Sequence, residues 1–146
     1  MQIEQIVKNH MPFGGGHRRE GVHSKGRLEL PLGLSRTLRE RQGLSRNDKV
    51  HLFYSFHLQE MPQYLELTDI VEPQDSAFYT PCNVDKKMRF AVDMHGIESM
   101  DIGRPNRIIY VGQTDRILVY REYDYDAIIG RQLERSVPRD ANHPTL

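Results

Sequence analysis

Hydrophobic and polar residues alternate at residues 28–30 near the start of the chain, a pattern typical of a β-strand that here ends at Pro31. Residues 17–22 before it form a second strand candidate, which Gly21 weakens. Residues 24–26 between them (Ser-Lys-Gly) are turn formers. The pattern therefore predicts two strands joined by a tight turn. We call this turn the first tip.

A helical spacing follows the second stretch. Leu30, Leu34 and Leu38 stand one helical turn apart, and Gly43 is a suitable residue to end the helix. Residues 49–54 are rich in strand formers and follow the turn formers Asn47-Asp48. The first third of the chain thus predicts strand, turn, strand, short helix and strand.

The second half repeats much of this order. Strands are predicted at residues 88–92, 107–111 and 116–120, separated by turns at 93–96 and 112–115. A final helix is predicted from near Asp124, with apolar residues on one face; these are Ala127, Ile128 and Leu133. We interpret the halves as diverged copies of one β-rich unit, at residues 13–59 and at residues 86–136, where the copy is shorter and carries the C-terminal helix.

An acidic segment at residues 60–85 is predicted to connect the two units. Its residues 64–67 form a candidate for local pairing, but the prolines in the segment disfavour long regular structure; these are Pro62, Pro73 and Pro81. Residues 1–12 are predicted to form a polar N-terminal arm, and residues 137–146 a flexible tail.

Composition narrows the class of protein. A chain of 146 residues with 38% hydrophobic residues predicts one domain with a small core, which favours an oligomer. It has no run of 18 apolar residues and no apolar N-terminal stretch, which argues against a membrane span and a secretory signal. Cys82 is the only cysteine, which excludes an internal disulfide. We expect a cytoplasmic protein.

The net charge is zero, but the charges are distributed unevenly. Residues 1–50 hold ten Lys or Arg and five Asp or Glu, whereas residues 51–85 hold six Asp or Glu and no Lys or Arg. This asymmetry indicates a basic working face on a neutral protein. A solvated surface helix would also explain part of it, since Arg36, Arg39 and Arg41 share one segment.

The sequence offers little for catalysis or metal binding. Cys82 has no neighbouring histidine or glycine elbow, so a structural or free thiol is favoured over a nucleophile. A metal site would form if two predicted turns met, but surface histidines are favoured because no H-E-x-x-H motif is present; its ligands would be His17, His23, Asp93 and His95. We expect no enzyme activity, cofactor or metal.

Three places in the sequence resemble the MraZ family of bacterial transcriptional regulators. His23-Ser-Lys-Gly-Arg-Leu28, followed by Pro31, resembles the family's D-S-K-G-R-L-x-x-P signature. Val111-Gly-Gln113 resembles the V-G-Q before the last hairpin strand, and residues 116–125 are similar to the family's ending. The resemblance covers about residues 13–135. It implies a mainly β, α+β fold in which two AbrB/SpoVT-like swapped-hairpin units form one compact barrel-like domain with a C-terminal helix.

The family carries a D-x-x-x-R element in each half, and both copies are altered in this sequence. In the first copy, His23 takes the Asp position. In the second copy, as aligned from the sequence, Asp93 and Gly96 remain and Ile97 takes the Arg position. The stretch from Asp93 to Val111 is shorter than in the family, so we expect the second helix to be shortened or lost.

The resemblance implies a transcriptional regulator that binds short direct repeats in double-stranded DNA upstream of division and cell-wall genes. It also implies a homo-oligomer, with a ring as one form, located in the cytoplasm at the nucleoid and away from membranes. Lys25 and Arg27 would contact the DNA groove or bases at the first tip. Four further residues complete the expected interface, namely Ser24 at the tip and Arg18, Arg19 and Arg36 on phosphates. The alternative is a protein-interaction module on the same fold that has lost DNA recognition.

Overall fold

A computed structural model describes residues 12–22, 26–45, 47–103 and 106–136, with side chains up to residue 130. Within these residues the chain forms eight strands, three α-helices and one 3₁₀ helix. In order they are β1 (Gly16–Glu20), β2 (Arg27–Glu29), α1 (Leu32–Gln42), β3 (His51–His57), β4 (Tyr64–Thr68), the 3₁₀ helix (Pro73–Phe78), β5 (Thr80–Asn83), β6 (Arg89–Ala91), α2 (Met94–Met100), β7 (Arg107–Gly112), β8 (Ile117–Arg121) and α3 (Glu122–Ser136).

Six strands form one antiparallel sheet in the order β1-β7-β8-β4-β3-β5, and β2 pairs with β6 in a separate two-stranded ribbon. The expectation of a mainly β, α+β protein with short helices and a C-terminal helix is confirmed. The expected arm at residues 1–12 lies outside the described part except for Pro12. The expected tail at 137–146 lies outside it altogether.

The two halves of the chain exchange their first strands. Each half has the order β-β-α-β-β, and its last two strands form a hairpin, β3–β4 or β7–β8. The first strand of each half pairs with the hairpin of the other half, because β1 lies beside β7 and β5 lies beside β3. The sheet therefore has the same strand sequence when it is read from either edge, which is the mark of an internal two-fold relation.

The acidic segment at 60–85 does more than connect the two halves. It contributes β4, which lies between β3 and β8, and β5, which forms an edge of the sheet. Its prolines suit these places, since Pro73 begins the 3₁₀ helix and Pro81 lies in an edge strand, where a missing N–H is tolerated.

The second helix is present and shortened, with 7 residues in α2 against 11 in α1. Residues 93–96, predicted as a turn, begin this helix instead. Asp93 is its N-cap and accepts a hydrogen bond from the backbone N–H of His95 at 3.4 Å. Gly96 lies inside the helix. A Cβ at this position would collide with the ring of Phe56, so the packing requires glycine here. The glycine permits close packing and does not mark a turn.

The core lies between the sheet and a layer made by the ribbon and the helices α1 and α2. The ribbon contributes Leu28 and Phe90, and both side chains are fully buried. Each helix contributes residues one turn apart, and the sheet supplies the facing side chains; the main ones are Leu34, Leu38, Ile97, Met100, Leu52, Leu65, Leu67, Ile108, Tyr110, Ile117 and Val119. This packing leaves the other face of the ribbon towards solvent.

A buried ion pair joins parts of the chain that are distant in sequence. Arg41 of α1 donates to Asp69 through Nε at 3.0 Å and Nη2 at 2.9 Å, and the two side chains are 1% and 3% exposed. Its Nη1 donates to the carbonyl of Thr114 at 3.2 Å, and its guanidinium lies 4.5 Å from the ring centroid of Phe13. Arg41 thus contacts the end of β4, the β7–β8 turn and the segment before β1.

We predict that Arg41→Met will lower the free energy of unfolding by about 3–5 kcal/mol, because it leaves the Asp69 carboxylate buried without its main partner. Urea unfolding followed by circular dichroism measures this change. Arg36→Met, on the exposed side of the same helix, is the matched control and should change stability by about 0.5 kcal/mol or less. Equal stability of the two variants would contradict the prediction.

Candidate nucleic-acid interface

The outer side of the β2–β6 ribbon is the part of the structure that best matches the expected interface. Arg27 pairs with Ala91 and Glu29 pairs with Arg89, in antiparallel register. Because side chains alternate along a strand and the residues between these enter the core, all four lie on the opposite side of the ribbon. We call this surface the ribbon face; it consists of Arg27, Glu29, Arg89 and Ala91.

Arg27 is exposed and follows Gly26, whose φ of 68° places it in the left-handed region that glycine adopts readily. Among the described residues, the Arg27 side chain has no hydrogen bond or salt bridge. The rest of the first tip, comprising His23, Ser24 and Lys25, lies outside the described residues. Arg27 is therefore a cation available to a ligand.

The structure corrects the position of the second copy of the tip. Counting back from the matching strands and helices, Arg27 corresponds to Arg89, and the residue corresponding to His23 is Asp85. The sequence suggested Asp93 and Ile97 instead, but Asp93 is the N-cap of α2 and Ile97 lies buried within that helix. The stretch Asp85 to Arg89 has an Asp and an Arg at the spacing D-x-x-x-R; we call it the second tip.

Asp85 holds the second tip in shape. Its Oδ1 accepts from the backbone N–H groups of Lys87 and Arg89, both at 2.9 Å, and its Oδ2 accepts from Arg89 Nε at 3.0 Å. Partial burial alone would raise the pKa of the Asp85 carboxyl, but the bonds from the Arg89 backbone and side chain outweigh this and lower the pKa. The bonds that hold the turn therefore favour the ionised form of Asp85.

The second tip also presents positive charge. Lys86 and Lys87 are exposed, and within the described residues their ammonium groups have no hydrogen-bond partner. Met88 adopts a φ of 60°, in the place where the first tip has Gly26. Sequence reasoning missed this tip because methionine stands at the glycine position, although the Asp-to-Arg spacing before a strand and a helix was a usable signal.

Arg18 and Arg19 do not extend the ribbon face together. As neighbours on β1 they point to opposite sides of the sheet. Arg18 donates to Glu122 at 2.7 Å and Asp126 at 3.0 Å on α3, which raises its pKa. Arg19 donates to Glu29 at 2.7 Å. Both charges are thus balanced by carboxylates of the chain itself.

The remaining expected contact, Arg36, is exposed on α1 and has no hydrogen bond or ion pair within the described part of the chain. By contrast, some carboxylates of the acidic segment are paired with other side chains of the same chain. Asp69 binds Arg41, and the buried Glu66 contacts His57 at 2.7 Å and accepts from Tyr79 at 2.8 Å. The uneven charges along the sequence are therefore partly neutralised by tertiary pairing.

Cys82 is a half-buried thiol on the edge strand β5. Its Sγ donates to the carbonyl of Leu52 at 3.4 Å, and burial raises its pKa to about 12. Across the described residues, no group of three or more His, Cys, Asp or Glu side chains is arranged to hold a metal ion. His23, one of the four suggested metal ligands, lies outside that part.

The chain matches no protein-family model and no curated protein sequence. None of the described helices is both long and apolar enough to cross a membrane. A function for this chain therefore has to be argued from the ribbon face and the two tips.

We predict that Cys82 in the folded protein will react with iodoacetamide at pH 8 at least about 100-fold more slowly than in the unfolded chain. A pKa of about 12 leaves roughly one thiol in ten thousand ionised at this pH, and only the thiolate reacts. Mass spectrometry of time points with and without urea measures both rates. Rates within about threefold of each other would contradict the burial of this thiol.

Proposed function

We propose that this chain is a sequence-specific DNA-binding transcriptional regulator of MraZ type, acting as a homo-oligomer through the ribbon face and its two tips. One observation carries the proposal. Arg27 and Arg89 lie on the same solvent-facing side of a two-stranded ribbon, and each directly follows a turn residue with positive φ. Two exposed lysines at the second tip add to this positive surface.

The geometry suits the major groove of DNA. A two-stranded antiparallel ribbon fits that groove, and arginine pairs with guanine O6 and N7 through two parallel hydrogen bonds. The bond from Arg89 to Asp85 uses Nε, so the terminal nitrogens remain available and the guanidinium is already oriented. Such preorganisation reduces the entropy lost on binding.

The fold also supports the proposal. The exchange of first strands between the two halves is the kind of arrangement that a swapped-hairpin fold of the AbrB/SpoVT group requires, with the ribbon and helices closing one side of the sheet. Exposed apolar side chains such as Met61 and Phe78 supply surface for contacts between subunits. An oligomer, including a ring, would place several ribbon faces along direct repeats and raise the affinity. The site of action is then the cytoplasmic nucleoid.

The second candidate is a protein-interaction module on the same fold. One observation favours it: Phe78 is 70% exposed and borders a groove of about 580 Å³ beside Tyr54 and Phe56. The pairing of Arg18 and Arg19 with carboxylates also reduces the positive charge expected for DNA binding. Salt-dependent retardation of DNA by the purified protein distinguishes the two functions, because an interaction module would show none.

We predict that Arg27→Ala will weaken binding to the preferred DNA site by about 1–3 kcal/mol and relax the base preference at one position. Fluorescence anisotropy at fixed salt measures the affinity. Arg107→Ala is the matched control, since this arginine is 54% exposed but contacts Glu122 of α3 at 3.4 Å. If both variants bind like the parent protein, Arg27 does not contact the bases.

We predict a different effect for Lys87→Gln at the second tip. Loss of a phosphate contact should weaken binding to all DNA sequences alike and reduce the slope of log K against log salt by about 0.9. Arg18→Gln should leave the slope unchanged, because Glu122 and Asp126 already balance its charge. A reversed outcome for these two variants would move the interface to β1.

A further inference from the structure

The β2–β6 ribbon has an internal two-fold axis that passes between Leu28 and Phe90. Rotation about this axis exchanges β2 with β6 and converts the pair Arg27–Ala91 into the pair Arg89–Glu29. The flanking hydrogen bonds obey the same rule. The backbone N–H of Leu30 donates to the carbonyl of Met88 at 3.0 Å, and that of Val92 donates to Gly26 at 3.0 Å.

The chemistry at the surface follows the same symmetry. Arg27 and Arg89 occupy equivalent positions on the ribbon face, and in the sequence each stands two residues after a lysine. Leu32 and Met94 are the equivalent first residues of α1 and α2, and both are exposed apolar side chains, at 65% and 45%. One chain thus presents two matching sets of DNA-contacting groups around a single axis.

Duplex DNA has local two-fold axes that exchange its antiparallel strands. A protein whose contact groups are related by a two-fold axis binds with that axis on the DNA axis, as dimeric readers of palindromes do. Two equivalent arginines placed in this way meet equivalent base edges on opposite strands. Arginine prefers guanine in the major groove, so each would select a guanine on a different strand.

We propose that a single chain reads a short inverted pair of half-sites, with Arg27 and Arg89 selecting guanines on opposite strands. The inference rests on the proposed function and adds the symmetry of the DNA site. The two arginines are diagonal neighbours across the ribbon, with Cα atoms about 7–8 Å apart. The two guanines therefore lie well within one helical turn, unlike the half-sites of larger dimers that are about 10 base pairs apart. In an oligomer, each direct repeat would contain one such inverted pair.

The two half-sites are equivalent in position but unequal in strength. Asp85 orients Arg89, whereas the sequence has His23 at the corresponding position four residues before Arg27. Glu29 lies on the ribbon face opposite Arg89 and accepts from Arg19 at 2.7 Å, while its symmetry partner is the uncharged Ala91. We therefore expect related rather than identical half-sites, with a stronger selection for the guanine that Arg89 contacts.

Selection of bound fragments from a random DNA library tests the proposal, using the full chain and the variants Arg27→Ala, Arg89→Ala and Arg107→Ala at one salt concentration. The parent protein and Arg107→Ala should enrich a motif with one guanine on each strand, related by a central axis. Arg27→Ala should lose the preference for one guanine and Arg89→Ala the preference for the other, each by about tenfold or more. Titration should give one chain per inverted pair.

Arg89→Ala also removes a bond that holds the second tip, so Arg89→Lys provides a second variant. Lysine keeps the charge but lacks the two-pronged donor, and we expect it to retain DNA binding while losing the guanine preference. Two guanines on the same strand, or an unchanged motif with both Arg89 variants, would overturn the inverted pair and leave the proposed function intact. Absence of salt-dependent DNA binding by the parent protein would overturn both.

Discussion

The buried pairing of Arg41 with Asp69 is the interaction on which the arrangement of the two halves depends. It joins α1 and the end of β4, both from the first half, to the β7–β8 turn of the second half and to Phe13 before β1. A buried guanidinium is costly unless its donors are satisfied, so these four segments are tied to one geometry. That geometry keeps β1 beside β7, and thereby maintains the strand exchange.

Strand exchange in turn determines where the candidate interface lies. Each half alone would leave its short second strand without a partner, and the exchange brings β2 and β6 together as a ribbon over the core. Leu28 and Phe90 enter the core, so Arg27 and Arg89 must face solvent. The ribbon face is thus a consequence of core packing, and no dedicated loop or recognition helix is needed to form it.

Much of the local structure could be predicted because its signals are local. Leu34 and Leu38 one turn apart and Gly43 with a φ of 64° specify α1, and alternation before Pro31 specifies β2. The misses have physical reasons. Gly96 indicated a turn but allows close packing against Phe56, and Met88 stands at a turn position that usually takes glycine. The prolines of residues 60–85 argued against long regular structure, and Pro81 lies in an edge strand of only 4 residues.

The sequence alone determined most of the strands and the helices α1 and α3, that Arg27 follows a tight turn, and that the charges are distributed unevenly along the chain. Only the tertiary structure decided which of those charges remain available, since Arg18, Arg19 and Arg41 find carboxylates far from them in sequence or on another strand. It also decided that Asp85 to Arg89 is the second tip. Ion pairs and strand partners are long-range contacts, and the spacing of residues along one segment carries no record of them. The second tip had a local signal in its Asp-to-Arg spacing, but its equivalence to the first tip follows from the pairing of β2 with β6.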